Sequence, residues 1–298
     1  MGNQRTPDVL LPSQLVDLSF FSDPKDNQLN VTWLGHSSLM INMDGIKILT
    51  DPVFEKSVSF FGPSRYNGDL PLNPELLPEI DLVLISHNHY DHLNEFSIKL
   101  LKEKTARFIV PLAVGAELEN WGVPRAKIIE LDWGDEIFLT RGLKITATPS
   151  QHFSGRGLMD RDESLWVSFV LKSANYKVFY GGDSGYFDGF KQIGESYGPF
   201  DMTFLECGAY NEKWHHIHMF PEETVQAHLD LKGKILHPIH WGTFNLSLHP
   251  WFEPMKRLST AADSLGVRTA TPIVGQTTDY DRYVPIKKWW ENLNSKDN

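Results

Sequence analysis

Ser86-His87-Asn88-His89-Tyr90-Asp91-His92-Leu93 follows directly on the apolar run Leu82-Val83-Leu84-Ile85, and the reading of this junction decides the fold. An unbroken apolar run without alternation is what a strand covered on both faces looks like, and such strands belong to layered α/β sheets. Four metal-binding side chains follow within six residues: His87, His89, Asp91 and His92. Their nitrogen and oxygen donors suit zinc and similar borderline divalent ions. His87 and His89 stand two apart, so extended backbone aims both to one side. A turn then carries Asp91 and His92 towards a neighbouring point. One ion cannot comfortably take four donors from so tight a loop, which predicts two adjacent sites. A polar loop that happens to collect three histidines is the bland alternative, and the spacing of mixed donors argues against it.

Outward from this junction, short strand-like runs alternate with helical segments. Residues 30–41 and 46–53 read as a strand pair joined by a turn at Asp44-Gly45. Residues 62–78, rich in Pro, Gly and Asn, read as an irregular surface loop, and 94–104 as a helix with Phe96, Leu100 and Leu101 on one face. Strands are predicted at 108–111, 127–133, 136–140, 143–148, 165–171, 177–180, 202–206 and 234–239. Helices are predicted at 113–121, 187–197, 221–231 (with Pro221 in its first turn) and 253–265. No shift of composition marks a second domain, so residues 1–298 read as one α/β (α+β) domain, a four-layer αββα sandwich with strands paired inside and helices outside. Residues 1–30 form an N-terminal extension to which the sequence assigns no role.

Four donors are too few for two ions, and the others must come from elsewhere. His152, Asp183 and His240 each follow a predicted strand, and Gly181-Gly182 before Asp183 lets backbone pass close to a crowded site. Strand ends on one edge are where ligands gather in layered α/β proteins. On spacing alone, each of the three is equally well an ordinary capping or solvated group.

Composition narrows the function classes. The chain has 298 residues, 41% hydrophobic and 22% charged, as a globular protein does. Its 28 basic and 38 acidic side chains give a net charge of −10, which offers no footprint for nucleic acid and disfavours adsorption to anionic lipid. Cys207 is the only cysteine, so no intrachain disulfide forms, and a reducing compartment is expected. Polar residues interrupt any signal-peptide core, and the expected location is cytoplasmic, with association at a membrane surface as the alternative. Met1-Gly2-Asn3-Gln4-Arg5-Thr6 fits the myristoylation pattern formally, a match that carries little information.

The ordered set His87-X-His89-X-Asp91-His92, a lone His152, Gly182-Asp183 and a late His240 resembles the metallo-β-lactamase superfamily. Trp33-Leu34-Gly35-His36-Ser37-Ser38, Thr50-Asp51-Pro52, Leu131-Asp132-Trp133, Leu158-Met159-Asp160, Gly208-Ala209-Tyr210 and Ile239–Phe244 are similar to one branch of it, the N-acylphosphatidylethanolamine-hydrolysing phospholipase D enzymes and their bacterial relatives. The likeness runs from about residue 31 to about residue 275 and does not extend to the N-terminal segment. The resemblance implies a metallo-β-lactamase-like sandwich holding two Zn2+ ions, with Mn2+ or Fe2+ as other divalent choices. It implies that His87, His89 and His152 hold one ion, that Asp91, His92 and His240 hold the other, and that Asp183 bridges them. Asp183 and Asp91 are then the catalytic carboxylates, Asp183 orienting the nucleophile.

Two divalent ions against two carboxylates leave a cationic centre that attracts an anion and makes water reactive. The expected function is a phosphodiesterase of phospholipase D type acting on N-acylphosphatidylethanolamine-like lipids. A lactonase or other ester hydrolase on the same fold is the alternative, and a non-catalytic metal-bound protein the third reading. The expected partners are a small-molecule or lipid substrate and at most a peripheral membrane contact, with an oligomer left open. His218 and Tyr210 are candidate substrate contacts, Trp214 a candidate pocket wall, and His36 and His237 buried structural groups.

Overall fold

A computed structural model describes residues 4–59, 62–157 and 159–293. The start of the myristoylation pattern and Leu158 of the Leu158-Met159-Asp160 motif lie outside the described residues. Among the described residues thirteen strands form two sheets. The first sheet contains β1 (Leu29–Trp33), β2 (Leu39–Met43), β3 (Ile46–Thr50), β4 (Ile80–Leu84), β5 (Thr105–Pro111), β6 (Ile128–Leu131) and β13 (Thr277–Asp279), in the order β13-β1-β2-β3-β4-β5-β6. The second contains β7 (Glu136–Phe138), β8 (Lys144–Thr148), β9 (Ser168–Lys172), β10 (Lys177–Tyr180), β11 (Phe200–Glu206) and β12 (Gly233–Ile239), in the order β12-β11-β10-β9-β8-β7. Both are mixed: β3-β4-β5-β6 run parallel in the first, and β10-β11-β12 in the second.

The apolar run at β4 shows why these strands are hydrophobic on both faces. Leu82 and Leu84 join the core shared by the two sheets, while Val83 and Ile85 turn outward. There they meet Ile98 and Leu101 of α2 (Glu95–Leu101) and Leu118 of α3 (Gly115–Asn120). β10 repeats the division: the Tyr180 hydroxyl reaches across to the first sheet, while Phe179 packs edge-on against Phe190 of α4 (Gly189–Ser196). Truncating such a buried phenylalanine to alanine costs about 3–5 kcal/mol. α5 (Pro221–Asp230) and α6 (Glu253–Leu265) complete the outer layer of the second sheet, which gives the helix–sheet–sheet–helix sandwich. Local signals set the helix ends: Asn94 Oδ1 accepts the Ser97 amide at 2.9 Å ahead of α2, and Gly266 closes α6 with a left-handed φ of 68°.

Several ends shift by about three residues, as at β5, β9 and α2, and one predicted strand is divided. Residues 30–41 are two strands, β1 and β2, broken at Gly35-His36, whose φ values of 93° and 53° no strand can carry. The break turns His36 inward, where its amide donates to Thr243 Oγ1 at 2.6 Å. Two short elements had no sequence signal: α1 (Ser19–Ser22), and β13, which joins the sheet edge by pairing with β1.

Candidate metal centre

The sequence-predicted donors arrive from both sheets. His87, His89, Asp91 and His92 occupy the loop that follows β4 in the first sheet, while His152, Asp183 and His240 follow β8, β10 and β12 in the second. All seven side chains meet at one edge of the sandwich. His89 Nδ1 lies 2.9 Å from His87 Nε2 and 3.2 Å from His152 Nε2. A second set forms around Asp91: His240 Nε2 and His92 Nε2 stand 3.4 and 3.7 Å from its Oδ2. Asp183 Oδ2 sits between the sets, 3.1 and 3.0 Å from His92 and His240 Nε2 and 3.9 and 3.8 Å from His87 and His152 Nε2.

Two observations test whether these residues fit metal ions. Four ligands at ~2.0–2.1 Å around a tetrahedral zinc stand ~3.3 Å apart, close to the spacings within each set. Among the described residues, three buried atoms at the centre (His92 Nε2, His240 Nε2 and Asp183 Oδ1) find no aligned hydrogen-bond partner. Buried polar atoms are rarely left so. The donor set therefore fits divalent cations.

The charges point the same way. Burial, reinforced by the neighbouring imidazoles, drives His87, His89 and His152 toward the neutral form, His89 to a pKa of about 4. Burial would raise the Asp91 and Asp183 carboxyls, but neighbouring imidazoles overcome it and hold both well below the usual range. Conversely, burial would keep His92 and His240 neutral, but Asp183 and Asp91 pull both up, His240 to about 10. The metal-free centre thus keeps two carboxylates ionised and places protons on the imidazoles where cations would otherwise sit.

A surrounding layer holds these side chains in place. His92 Nδ1 lies 2.7 Å from Asp51 Oδ2, which also accepts from the Ser86 and Tyr180 hydroxyls at 2.5 and 2.6 Å. His87 Nδ1 lies 2.9 Å from Ser86 Oγ, and His152 Nδ1 donates to the Ile217 carbonyl at 2.9 Å. His36 Nε2 lies 3.0 Å from Asp91 Oδ2; burial drops its pKa to about 3, so the neutral ring donates. His36, Asp51 and His240 adopt left-handed φ values of 53°, 35° and 63°. Such strain in residues other than glycine collects at functional sites.

Above the donors lies a cavity of about 320 Å³, walled by Phe153, Trp214, Ile217, Leu246 and His218. His218 and Trp214 lie on this wall. Tyr210 does not: its hydroxyl donates to Glu253 at 2.6 Å and its ring stacks on His249, away from the cavity wall. His237 is fully buried between Trp33 and Phe204, as a structural group would be.

Sequence reasoning assigned no role to Asp51, Ser86, Tyr180 or Glu206. The signal for Asp51 was its place in Thr50-Asp51-Pro52, a carboxylate ending an apolar strand. Glu206 ends β11, fully buried. Its Oε1 accepts the Met219 amide at 2.6 Å and its Oε2 lies 3.4 Å from His218 Nδ1, while burial pushes its carboxyl up.

Comparison with known proteins places these residues in a wider context. The family described as the Beta-lactamase superfamily domain matches residues 47–241. An uncharacterized protein of Mycobacterium tuberculosis is 43% identical over 271 residues, covering 89% of this chain and 72% of its own. N-acyl-phosphatidylethanolamine-hydrolyzing phospholipase D 1 of Caenorhabditis elegans is 34% identical over 280 residues, covering 88% and 77%. Among solved structures, Igni18, a metallo hydrolase of Ignicoccus hospitalis, superposes with a TM-score of 0.63 over 85% of this chain and 98% of its own; at 23% identity it speaks for the fold.

Proposed function

The chain belongs to the beta-lactamase superfamily and is a metal-dependent hydrolase of it; from that premise we propose a dinuclear zinc enzyme, a phosphodiesterase of phospholipase D type acting on N-acylphosphatidylethanolamine-like lipids. The convergence of seven donors into two sets joined by Asp183 carries this reading. His87, His89 and His152 would hold one ion and Asp91, His92 and His240 the other, with Asp183 shared. When bound, the ions supply Lewis acidity that makes water nucleophilic near neutral pH and draws charge from the scissile group.

The chain's own residues supply the rest. Asp183 Oδ1, buried and without a hydrogen-bond partner among the described residues, would accept a proton or hydrogen bond from the attacking water. His218, against Glu206 and on the cavity wall, would meet the leaving group. Phe153, Trp214, Ile217 and Leu246 offer an apolar wall, and among the described residues no lysine or arginine lines the cavity. That wall suits an acyl-bearing substrate whose single anionic group meets the metals. The 34% identity to the nematode phospholipase supports the same branch.

The cavity volume supports a second reading. About 320 Å³ lies at the lower end of ligand pockets, so a compact lactone or ester fits inside whole, whereas a two-chain lipid must extend beyond it. Elemental analysis of purified protein, followed by parallel assays on N-acylphosphatidylethanolamine in mixed micelles, bis-nitrophenyl phosphate and a lactone panel, separates the two. Phosphodiester cleavage with two zinc ions per chain is expected. Lactone turnover without phosphodiester cleavage would replace the first reading with the second.

A further inference from the structure

The segment after His152 does more than deliver that ligand. Arg156, four residues on, extends its guanidinium under the loop that follows β4, where one nitrogen, Nη1, donates to the carbonyls of both Asn88 and Leu93 at 2.7 Å. These carbonyls bracket His89, Asp91 and His92. The guanidinium also lies 4.0 Å from the ring centroid of Tyr90 and 5.3 Å from that of Trp121. Among the described residues no carboxylate oxygen comes within ion-pair distance of Arg156, so its hydrogen bonds go to backbone and its planar face to the Tyr90 ring. Neighbouring bonds reinforce the tie: the Gly155 amide donates to Asn88 Oδ1 at 2.8 Å, and Asp160 accepts the Arg156 and Gly157 amides.

The loop needs such a tie. Its own backbone supplies a tight turn, with the His92 and Leu93 amides both donating to the His89 carbonyl. That turn does not fix the span between the two ends. A rigid, planar donor that grips both ends at once sets the distance between His89, in one donor set, and Asp91 and His92, in the other. Groups that orient metal ligands from outside typically contribute 10–100-fold to metal affinity.

We propose that Arg156 is a positioning residue for the metal centre, holding the His89–His92 loop so that both donor sets form together; this rests on the dinuclear reading above. The test is Zn2+ affinity of the full chain by competition with a chromophoric chelator, alongside thermal unfolding of metal-free protein. Arg156→Met should weaken Zn2+ binding about 10–100-fold while the metal-free unfolding temperature stays close to wild type. Arg161→Met, in the same segment but stacked on Phe153, should leave affinity unchanged. Should the Met variant fail to fold, Arg156→Lys carries the test, because a shorter side chain ending in a compact ammonium cannot reach the carbonyls and also lay a planar face on Tyr90; about a 3–30-fold loss is expected. Wild-type affinity in the folded Arg156 variants, or an equal loss in Arg161→Met, overturns the assignment alone. A wild-type chain that binds no Zn2+ overturns it together with the dinuclear reading.

Discussion

His92 Nδ1 lies 2.7 Å from Asp51 Oδ2, and the contact joins a donor in the loop after β4 to a carboxylate at the end of β3. Asp51 is fully buried and is met by four donors: His92, the Ser86 amide, the Ser86 hydroxyl and the Tyr180 hydroxyl. An imidazole whose Nδ1 is so engaged presents its Nε2 to a metal in one orientation and one tautomer.

Asp51→Asn keeps the shape but turns an NH₂ group toward a site where only donors converge. Metal affinity should fall about 10–100-fold, and stability by about 1–3 kcal/mol from the mismatched buried donor. Chelator competition and denaturant unfolding measure the two effects. Wild-type affinity in a folded variant would remove Asp51 from the account.

Asp183 and His152 should respond differently to substitution. Asp183→Asn takes the shared carboxylate from both donor sets, and turnover should drop by ~100-fold or more with the fold retained. His152→Ala strips one set only and should halve the zinc content by elemental analysis. Near-wild-type turnover in Asp183→Asn, or unchanged stoichiometry in His152→Ala, contradicts the respective role.

Metal loading should release protons. In the metal-free centre Asp183 and Asp91 keep His92 protonated well above the ordinary imidazole range and His240 protonated up to about 10, whereas His87, His89 and His152 are already neutral. A cation that takes Nε2 of His92 and His240 must displace those protons. Apparent affinity should therefore rise with pH through neutrality and level off near pH 10. Calorimetric titration in buffers of different ionisation enthalpy counts the released protons; a count near zero at pH 7 would refute the arrangement.

Acid should destabilise the fold through buried histidines outside the centre. His237 and His228 have pKa values lowered by burial to about 3 and about 4, below the 6.5 of an unfolded chain. Each contributes stability that is present in full above pH 6.5 and is lost as pH falls toward its folded value, at about 1.4 kcal/mol per pH unit. His237, whose ring nitrogens have no hydrogen-bond partner among the described residues, is the cleaner probe. Metal-free His237→Leu should lose less stability than wild type between pH 6.5 and 4, measured by urea unfolding; parallel pH profiles would argue that His237 is hydrated.

The donors were legible because each ends a strand that its own residues specify: Leu82–Ile85 before His87, Lys177–Tyr180 before Asp183, Lys234–Ile239 before His240. α6 was legible to the residue, since Pro254 opens it and Gly266 closes it. What escaped depends on partners distant in the chain. The break at Gly35-His36 is completed by Thr243, some 200 residues later, so residues 30–41 look like one strand when read alone. Tyr210 looks like a pocket residue until Glu253 takes its hydroxyl. Asp51 and Glu206 read as strand-end acids, and only the folded neighbourhood shows that one steadies a ligand and the other backs His218.

Four of the donors hang from one sheet and three from the other. A pair of ions held between them would therefore be a clasp as well as a reagent, closing the sandwich along one seam, while the far seam carries a tie of its own, Asp44 accepting from the Ser173 hydroxyl and the Asn175 amide. Stripping the metals should leave a molecule that gapes at the mouth first, so that chelators and proteases act on this protein in concert, each opening the way for the other.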